Sequence, residues 1–191
     1  KLKGTSFGEK YLPQILNYSL EPGNVYYEMR YYSYPNLRKI IFDDMNSTYF
    51  LKKRWDILLN LFFKKLYKDS NSEYPETNFF EKTHIEKYYR RLDDTLSEAP
   101  YFEELFGAAI LEINGKDFIN PTRILELIAK DESIVNKLTP DKLYLSHGDL
   151  HCNNILCGFS AGQFIFLDCR GKSPSGSLYF DPAYDLAKLY H

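Results

Sequence analysis

Two short runs rich in apolar and aromatic residues open the chain. Tyr11 to Tyr18 and Asn24 to Tyr32 read as strands, with Glu21-Pro22-Gly23-Asn24 as the turn between them. Tyr34-Pro35-Asn36 breaks the extended run. From Asn46 the period changes. Leu51, Trp55, Leu58, Leu59, Phe62 and Leu66 recur at three- and four-residue steps, with lysines off the stripe, which predicts a helix. A Ser-, Asn-, Glu- and Pro-rich loop (69–78) leads to a second helix from Phe79 to about Leu96, stopped by Pro100. Ile110 to Ile119 predicts a hairpin around Asn114-Gly115, and Pro121 opens a third helix through Ala129. Leu143 to Leu145 and Gln163 to Asp168 read as short strands, and Asp181-Pro182 starts a last helix as N-cap and first residue. The order is a small sheet, a linker, then a mostly helical body: an α+β fold.

Length and composition narrow the classes. At 191 residues with 44% hydrophobic residues, the chain can bury a sizeable core. The 17 Tyr and 14 Phe are read as core and rim packing rather than as a stacking surface. A net charge of -2 builds no field for a polyanion, so nucleic acid is not an expected partner. No long uncharged apolar run marks a membrane span, and no signal-peptide pattern occurs. Cys152, Cys157 and Cys169 are odd in number and close together, which fits a reducing, cytoplasmic setting better than a disulfide framework. Nothing in the sequence fixes the oligomeric state. The chain opens without Met and stops within a helical pattern, so a fragment is the expectation.

The chemistry concentrates between residues 147 and 168. His147-Gly148-Asp149-Leu150-His151-Cys152-Asn153-Asn154 places an Asp five residues before an Asn, and Asp168 ends the apolar run Phe164-Ile165-Phe166-Leu167. That layout suits phosphoryl transfer, where one carboxylate orients a hydroxyl and hard oxygens hold Mg²⁺ beside the phosphates. Asp149 takes the first role; Asn154 and Asp168 take the second. An unpaired carboxylate ending a strand of Phe and Leu would be expensive to bury, and a cation beside Asp168 removes that cost. His147 is read as supporting the loop by hydrogen bonding, His151 as a structural histidine, and Asp181 as an N-cap.

These blocks, with Phe180-Asp181-Pro182-Ala183-Tyr184-Asp185-Leu186-Ala187, resemble the aminoglycoside phosphotransferase and choline kinase-like family. The resemblance is tight over residues 145 to 189 and loose elsewhere. It implies a protein-kinase-like fold, with a partial small lobe and linker over residues 1–34 and a helical large lobe over 35–191. It implies transfer of a phosphoryl group from ATP or GTP, with Mg²⁺, to a hydroxyl of a small molecule. Asp149 would be the catalytic residue, Asn154 and Asp168 the metal ligands, and Asp185 a brace for the loop backbone. The linker Met29-Arg30-Tyr31-Tyr32 would receive the nucleotide base, although Arg30 stands where the family commonly has an acidic residue.

The departures lie at the start of the chain. Gly4-Thr5-Ser6-Phe7-Gly8 does not make a phosphate loop, and no strand Lys of the required kind precedes Tyr11. The expectation is therefore weak or absent activity for this polypeptide alone. For the acceptor, a sugar or amino alcohol is preferred, an aminoglycoside being the other option. Glu103, Glu104 and Asp181 are the acidic residues available to a cationic acceptor. Two other readings stay open: a catalytically silent kinase-like binding module, and a metal-dependent hydrolase using His147, Asp149 and His151. A zinc site from His147, His151, Cys152 and Cys157 has irregular spacing and no C-x-x-C pair.

Overall fold

The computed structural model describes residues 6–69, 71–170 and 177–190. Helices alternate with small antiparallel sheets in a mixed α/β chain. It divides into two compact units, one built from residues 1–73 and 143–191, the other from 74–142. The lobe boundary expected at Tyr34 falls inside the first of these units.

The first unit begins with helix α1 (Ser6–Tyr11). Tyr11, expected in a strand, lies in this helix: Phe7 and Tyr11, one turn apart, are both buried in the core, their tilted rings 5.0 Å apart. Of the Gly4–Gly8 segment, Gly4 and Thr5 lie outside the described residues. Strands β1 (Ile15–Glu21) and β2 (Asn24–Met29) form a hairpin closed by Pro22-Gly23, with Gly23 at φ 82°. The strand expected to run to Tyr32 stops at Met29, and Arg30 N donates to Gln14 O at 2.9 Å as the pairing ends. A short helix α2 (Leu37–Ile41), capped by the Asn36 side chain, follows the Tyr34-Pro35 break. The stripe from Leu51 gives α3 (Thr48–Leu61), capped by Ser47 and continued through a wider π-helical turn, Phe62–Leu66, into α4 (Tyr67–Asp69). Strand β3 (Ser72–Glu73) ends this half.

The second unit holds the expected second helix, which runs through a π-helical turn (Glu81–Ile85) into α5 (Glu86–Glu98). Helix α6 (Glu103–Gly107) precedes the hairpin of β4 (Ile110–Ile113) and β5 (Lys116–Ile119). Asn114 and Gly115 both take positive φ at its tip, as a tight two-residue hairpin turn requires. Helix α7 (Pro121–Lys130) starts where Pro121 predicts, and α8 (Glu132–Leu138), capped by Asp131, was not anticipated. Buried Asn120 joins these pieces. Its amide donates to Leu105 O and Ala108 O, while its oxygen caps Thr122 N.

The chain then returns to the first unit with β6 (Leu143–Leu145), β7 (Ile155–Cys157), β8 (Phe164–Phe166), β9 (Tyr179–Phe180) and α9 (Pro182–Tyr190). One sheet has the order β3-β6-β9, and β7 pairs with β8. Their apolar side chains, with α1 and α3, make the core: Phe7, Leu58, Phe62, Ile155, Phe164 and Phe166 are all buried, and Phe7 stacks on Phe166 at 5.8 Å. Arg54 is buried in the same place, held between the Phe50 and Phe164 rings and donating to Gly158 O at 3.0 Å. The linker is tied to the same sheet, since Cys157 N donates to Pro35 O at 2.8 Å. The core therefore grips both ends of the 147–168 segment.

Candidate active site

Residues 146 to 154 connect β6 to β7, and hydrogen bonds to the backbone of His147, Gly148, Asp149, His151 and Asn154 hold this loop. Asp185, on α9, is fully buried. Its carboxylate accepts from His147 N at 2.9 Å, Gly148 N at 2.7 Å and the Tyr67 hydroxyl at 3.1 Å. Burial pushes the Asp185 pKa up, and the bonds from Gly148, His147 and Tyr67 oppose that shift. The Tyr67 hydroxyl is in turn held protonated by burial and by the facing Asp185 charge. Gly148 has φ 79°, and a Cβ there would sit 2.7 Å from Arg170 Cβ, so both conformation and space demand glycine.

The loop closes on itself through Asn154. Its Nδ2 donates to Asp149 O at 3.0 Å, which commits the amide nitrogen and leaves Oδ1 as the group available to a ligand. Asp168 arrives beside this loop by two backbone bonds that flank it. Leu167 N donates to Asn154 O at 2.8 Å, and Arg170 N donates to His147 O at 2.8 Å. Between them Asp168 takes φ 54°, the left-handed region that Asp tolerates better than most residues, and its side chain is exposed. Asp149, Asn154 and Asp168 thus belong to one backbone-locked cluster.

The Asp149 side chain faces cations. Lys188 Nζ lies 3.0 Å from Asp149 Oδ1, an ion pair at an angle outside hydrogen-bond geometry. Burial raises the Asp149 pKa, but Lys188 first, then His151 and Arg170, outweigh it and hold the group below its usual range. Near neutral pH it is a carboxylate, able to accept a proton or orient a hydroxyl.

His147 is buried and serves the loop. Its Nδ1 accepts from Asp149 N at 3.2 Å, which fixes a neutral imidazole with that nitrogen unprotonated. Desolvation lowers its pKa to about 4, against the opposing pull of the Leu167 carbonyl, Asp149 and Asp168. A base whose folded pKa lies below the unfolded 6.5 leaves stability intact above pH 6.5 and lowers it as pH falls toward 4. Wild type should lose about 3 kcal/mol over that window from this group alone. Urea titrations of wild type and His147→Gln at pH 7 and 4.5 check it: the variant's loss should be smaller by that amount, and equal losses would refute the assignment.

His151 is half-buried and lies on the edge of a cavity of about 830 Å³ that Asn153, Trp55, Arg38 and Lys188 also line. His147 Nδ1 is taken by the Asp149 backbone N–H, while its Nε2 is buried without a hydrogen bond. Among the described residues, no three of His, Cys, Asp and Glu gather as a metal-holding group. Burial pushes the Cys157 thiol up to about 11 and the Cys169 thiol up to about 12, so both are protonated at neutral pH. The donor set that remains, Asn154 Oδ1 and the Asp168 carboxylate, is all hard oxygen. It fits Mg²⁺, which takes one or two carboxylates, keeps water and completes its shell with phosphate oxygens.

The linker residues lie in the same unit. Met29 ends β2 and is exposed, while Arg30, Tyr31 and Tyr32 line a cavity of about 450 Å³ with Lys10, Tyr34 and Gln163. The Arg30 guanidinium sits 6.0 Å from the Tyr32 ring, and the Tyr32 hydroxyl accepts from Gln14 N at 3.2 Å. Asp181 caps α9 through Ala183 N at 2.9 Å, and Glu103 and Glu104 stand exposed in the first turn of α6. The first two residues that sequence reasoning missed, Tyr67 and Lys188, touch Asp185 and Asp149. For Lys188 the signal was present, since it follows Asp185 by one helical turn; for Tyr67, 118 residues from its partner, there was none. No helix among the described residues is long and apolar enough to cross a membrane. No family model matches the chain, and no curated protein or solved structure shows significant similarity to it.

Proposed function

We propose that this chain carries the catalytic loop of a kinase-like phosphotransferase, which moves the terminal phosphoryl group of ATP or GTP to a hydroxyl of a small molecule. The observation that carries this reading is the lock around Asp149: Asn154 spends its amide nitrogen on the Asp149 carbonyl, and Asp168 is held between bonds to Asn154 O and His147 O. An ionised carboxylate and one hard-oxygen ligand on the same loop, with a second ligand bonded in beside them, are what in-line phosphoryl transfer requires, because such catalysis is largely positioning and charge neutralisation.

Asp149 orients the acceptor hydroxyl and receives its proton. Asn154 Oδ1 and the Asp168 carboxylate hold Mg²⁺, which when bound neutralises charge on the phosphate oxygens. His147 and Asp185 keep the loop in register. The cavity beside Arg30, Tyr31 and Tyr32 supplies tyrosine rings and linker backbone for a nucleotide base. A sugar or an amino alcohol is the favoured acceptor.

Calorimetric titration of ATP and of GTP, with and without Mg²⁺, tests the reading. Binding should require Mg²⁺ and should weaken at least tenfold, about 1.4 kcal/mol, in Asp168→Ala. Binding that ignores both Mg²⁺ and Asp168 would remove the metal-nucleotide site and favour a silent binding module.

A further inference from the structure

Helix α9 meets the catalytic loop at two levels. Asp185 and Lys188 are three residues apart, hence on one face. Asp185 takes the backbone N–H groups of His147 and Gly148, and Lys188 reaches the side chain of the next residue, Asp149. One helix face therefore addresses three consecutive loop residues.

The contact to Asp149 is unlike the others. Asp149 Oδ1 is shielded from solvent and has no hydrogen bond, so the Lys188 ammonium at 3.0 Å is its one charged anchor among the described contacts. A shielded carboxylate oxygen without a partner would be costly. Lys188 is itself placed. Its ammonium lies 5.9 Å from the Tyr184 ring, which also carries the Arg170 guanidinium at 6.0 Å, and neighbouring Leu189 is buried in the core. Its flexible stem is therefore constrained at both ends.

We propose that Lys188 is a positioning residue of this site, holding the Asp149 carboxylate by Oδ1 so that Oδ2 is presented to the acceptor hydroxyl. The catalytic consequence rests on the phosphotransferase reading; the orientation itself does not. Asp185 fixes where the loop runs, and Lys188 fixes which way its reactive side chain turns. A bound hydroxyl then meets a carboxylate whose rotamer is already chosen, and misplacement of a reacting group by about 1 Å costs on the order of a hundredfold in rate.

Two readouts test this, one independent of turnover. In isotope-labelled protein, three-bond couplings from Asp149 backbone N and C′ to its Cγ report the side-chain rotamer. Wild type should show one staggered rotamer, Lys188→Met an average, and Lys188→Arg one rotamer again. The His147 and Gly148 amide shifts should be unchanged throughout, showing that Asp185 still holds the loop. A single rotamer in Lys188→Met, or averaging already in wild type, overturns the proposal. The second readout is ADP release from Mg²⁺-ATP with water as acceptor. Lys188→Met should lower kcat roughly a hundredfold with KM for ATP unchanged, and Lys188→Arg should restore most of it. An unchanged kcat in Lys188→Met overturns the role. No release by wild type is the weak or absent activity expected of this polypeptide alone; the phosphotransferase reading is then decided by the Mg²⁺-nucleotide titration, and Lys188 by the couplings.

Discussion

Asp149→Ala should lower phosphoryl transfer by roughly a thousandfold while leaving Mg²⁺-nucleotide affinity within about twofold of wild type. The split follows from the geometry. The Asp149 side chain has no bond that holds the loop together, because loop closure uses its backbone carbonyl, bonded by Asn154, and its backbone N–H, bonded by His147. Alanine keeps both. What disappears is the carboxylate to which the proposed function assigns the hydroxyl proton, and Lys188 loses its ion-pair partner. Asparagine at the same position keeps an oxygen to orient the hydroxyl but cannot take its proton, so it should recover little. Single-turnover kinetics beside calorimetry separate the two quantities. Equal loss of transfer and nucleotide binding would show that Asp149 supports the binding site instead of the chemistry.

The second large effect concerns stability. Asp185→Ala should destabilise the first unit by roughly 4 kcal/mol, because two backbone N–H groups and the Tyr67 hydroxyl lose their acceptor in a place water does not reach. Asp185→Asn should cost nearly as much. An amide offers one acceptor oxygen and one NH₂, and the NH₂ would meet the backbone N–H of His147 or of Gly148 head-on. A Tyr67→Phe change isolates the least demanding of the three bonds and should cost about 1 kcal/mol. Denaturant titration measures all three. If Asp185→Ala unfolds with the wild-type midpoint, the carboxylate is not the brace that its contacts describe.

The gathering of residues 147 to 168 around one loop was more legible in the sequence than the fold around it, for a physical reason. Its parts lie within one stretch, 147 to 185, and their types are restricted by chemistry: a glycine where a Cβ would strike Arg170, an aspartate that can enter the left-handed region at 168, an asparagine able to donate and ligate at once. Local rules also caught the hairpins, since Pro22-Gly23 and Asn114-Gly115 preset their turns. The misplacements came from tertiary packing. Tyr11 has the composition of a strand residue, yet it lies in a helix because Phe7 and Tyr11 share a core face against Phe166. Helix α2 is only five residues long, too short for periodicity to register, and is held by an Asn36 cap and a bridge to Leu156. Nothing local announces that Tyr67 waits for Asp185, or that Arg54 is buried between two phenylalanine rings.

The first unit is discontinuous, and this has a bearing on how the chain folds. Arg54 reaches Gly158 across 104 residues, and the α3 side chains meet β8 over a comparable separation, so the core cannot close until residues 74–142 have been looped out. Non-local closure of this kind slows folding. The cluster from His147 to Lys188, by contrast, needs loops of no more than about forty residues and can be assembled by chain that is contiguous. Closure entropy grows only logarithmically, by about 0.6 kcal/mol for each doubling of the loop. The span between β3 and β6 is therefore the part of the chain whose length evolution could vary most cheaply, lengthening or trimming it without disturbing the register of a single site residue.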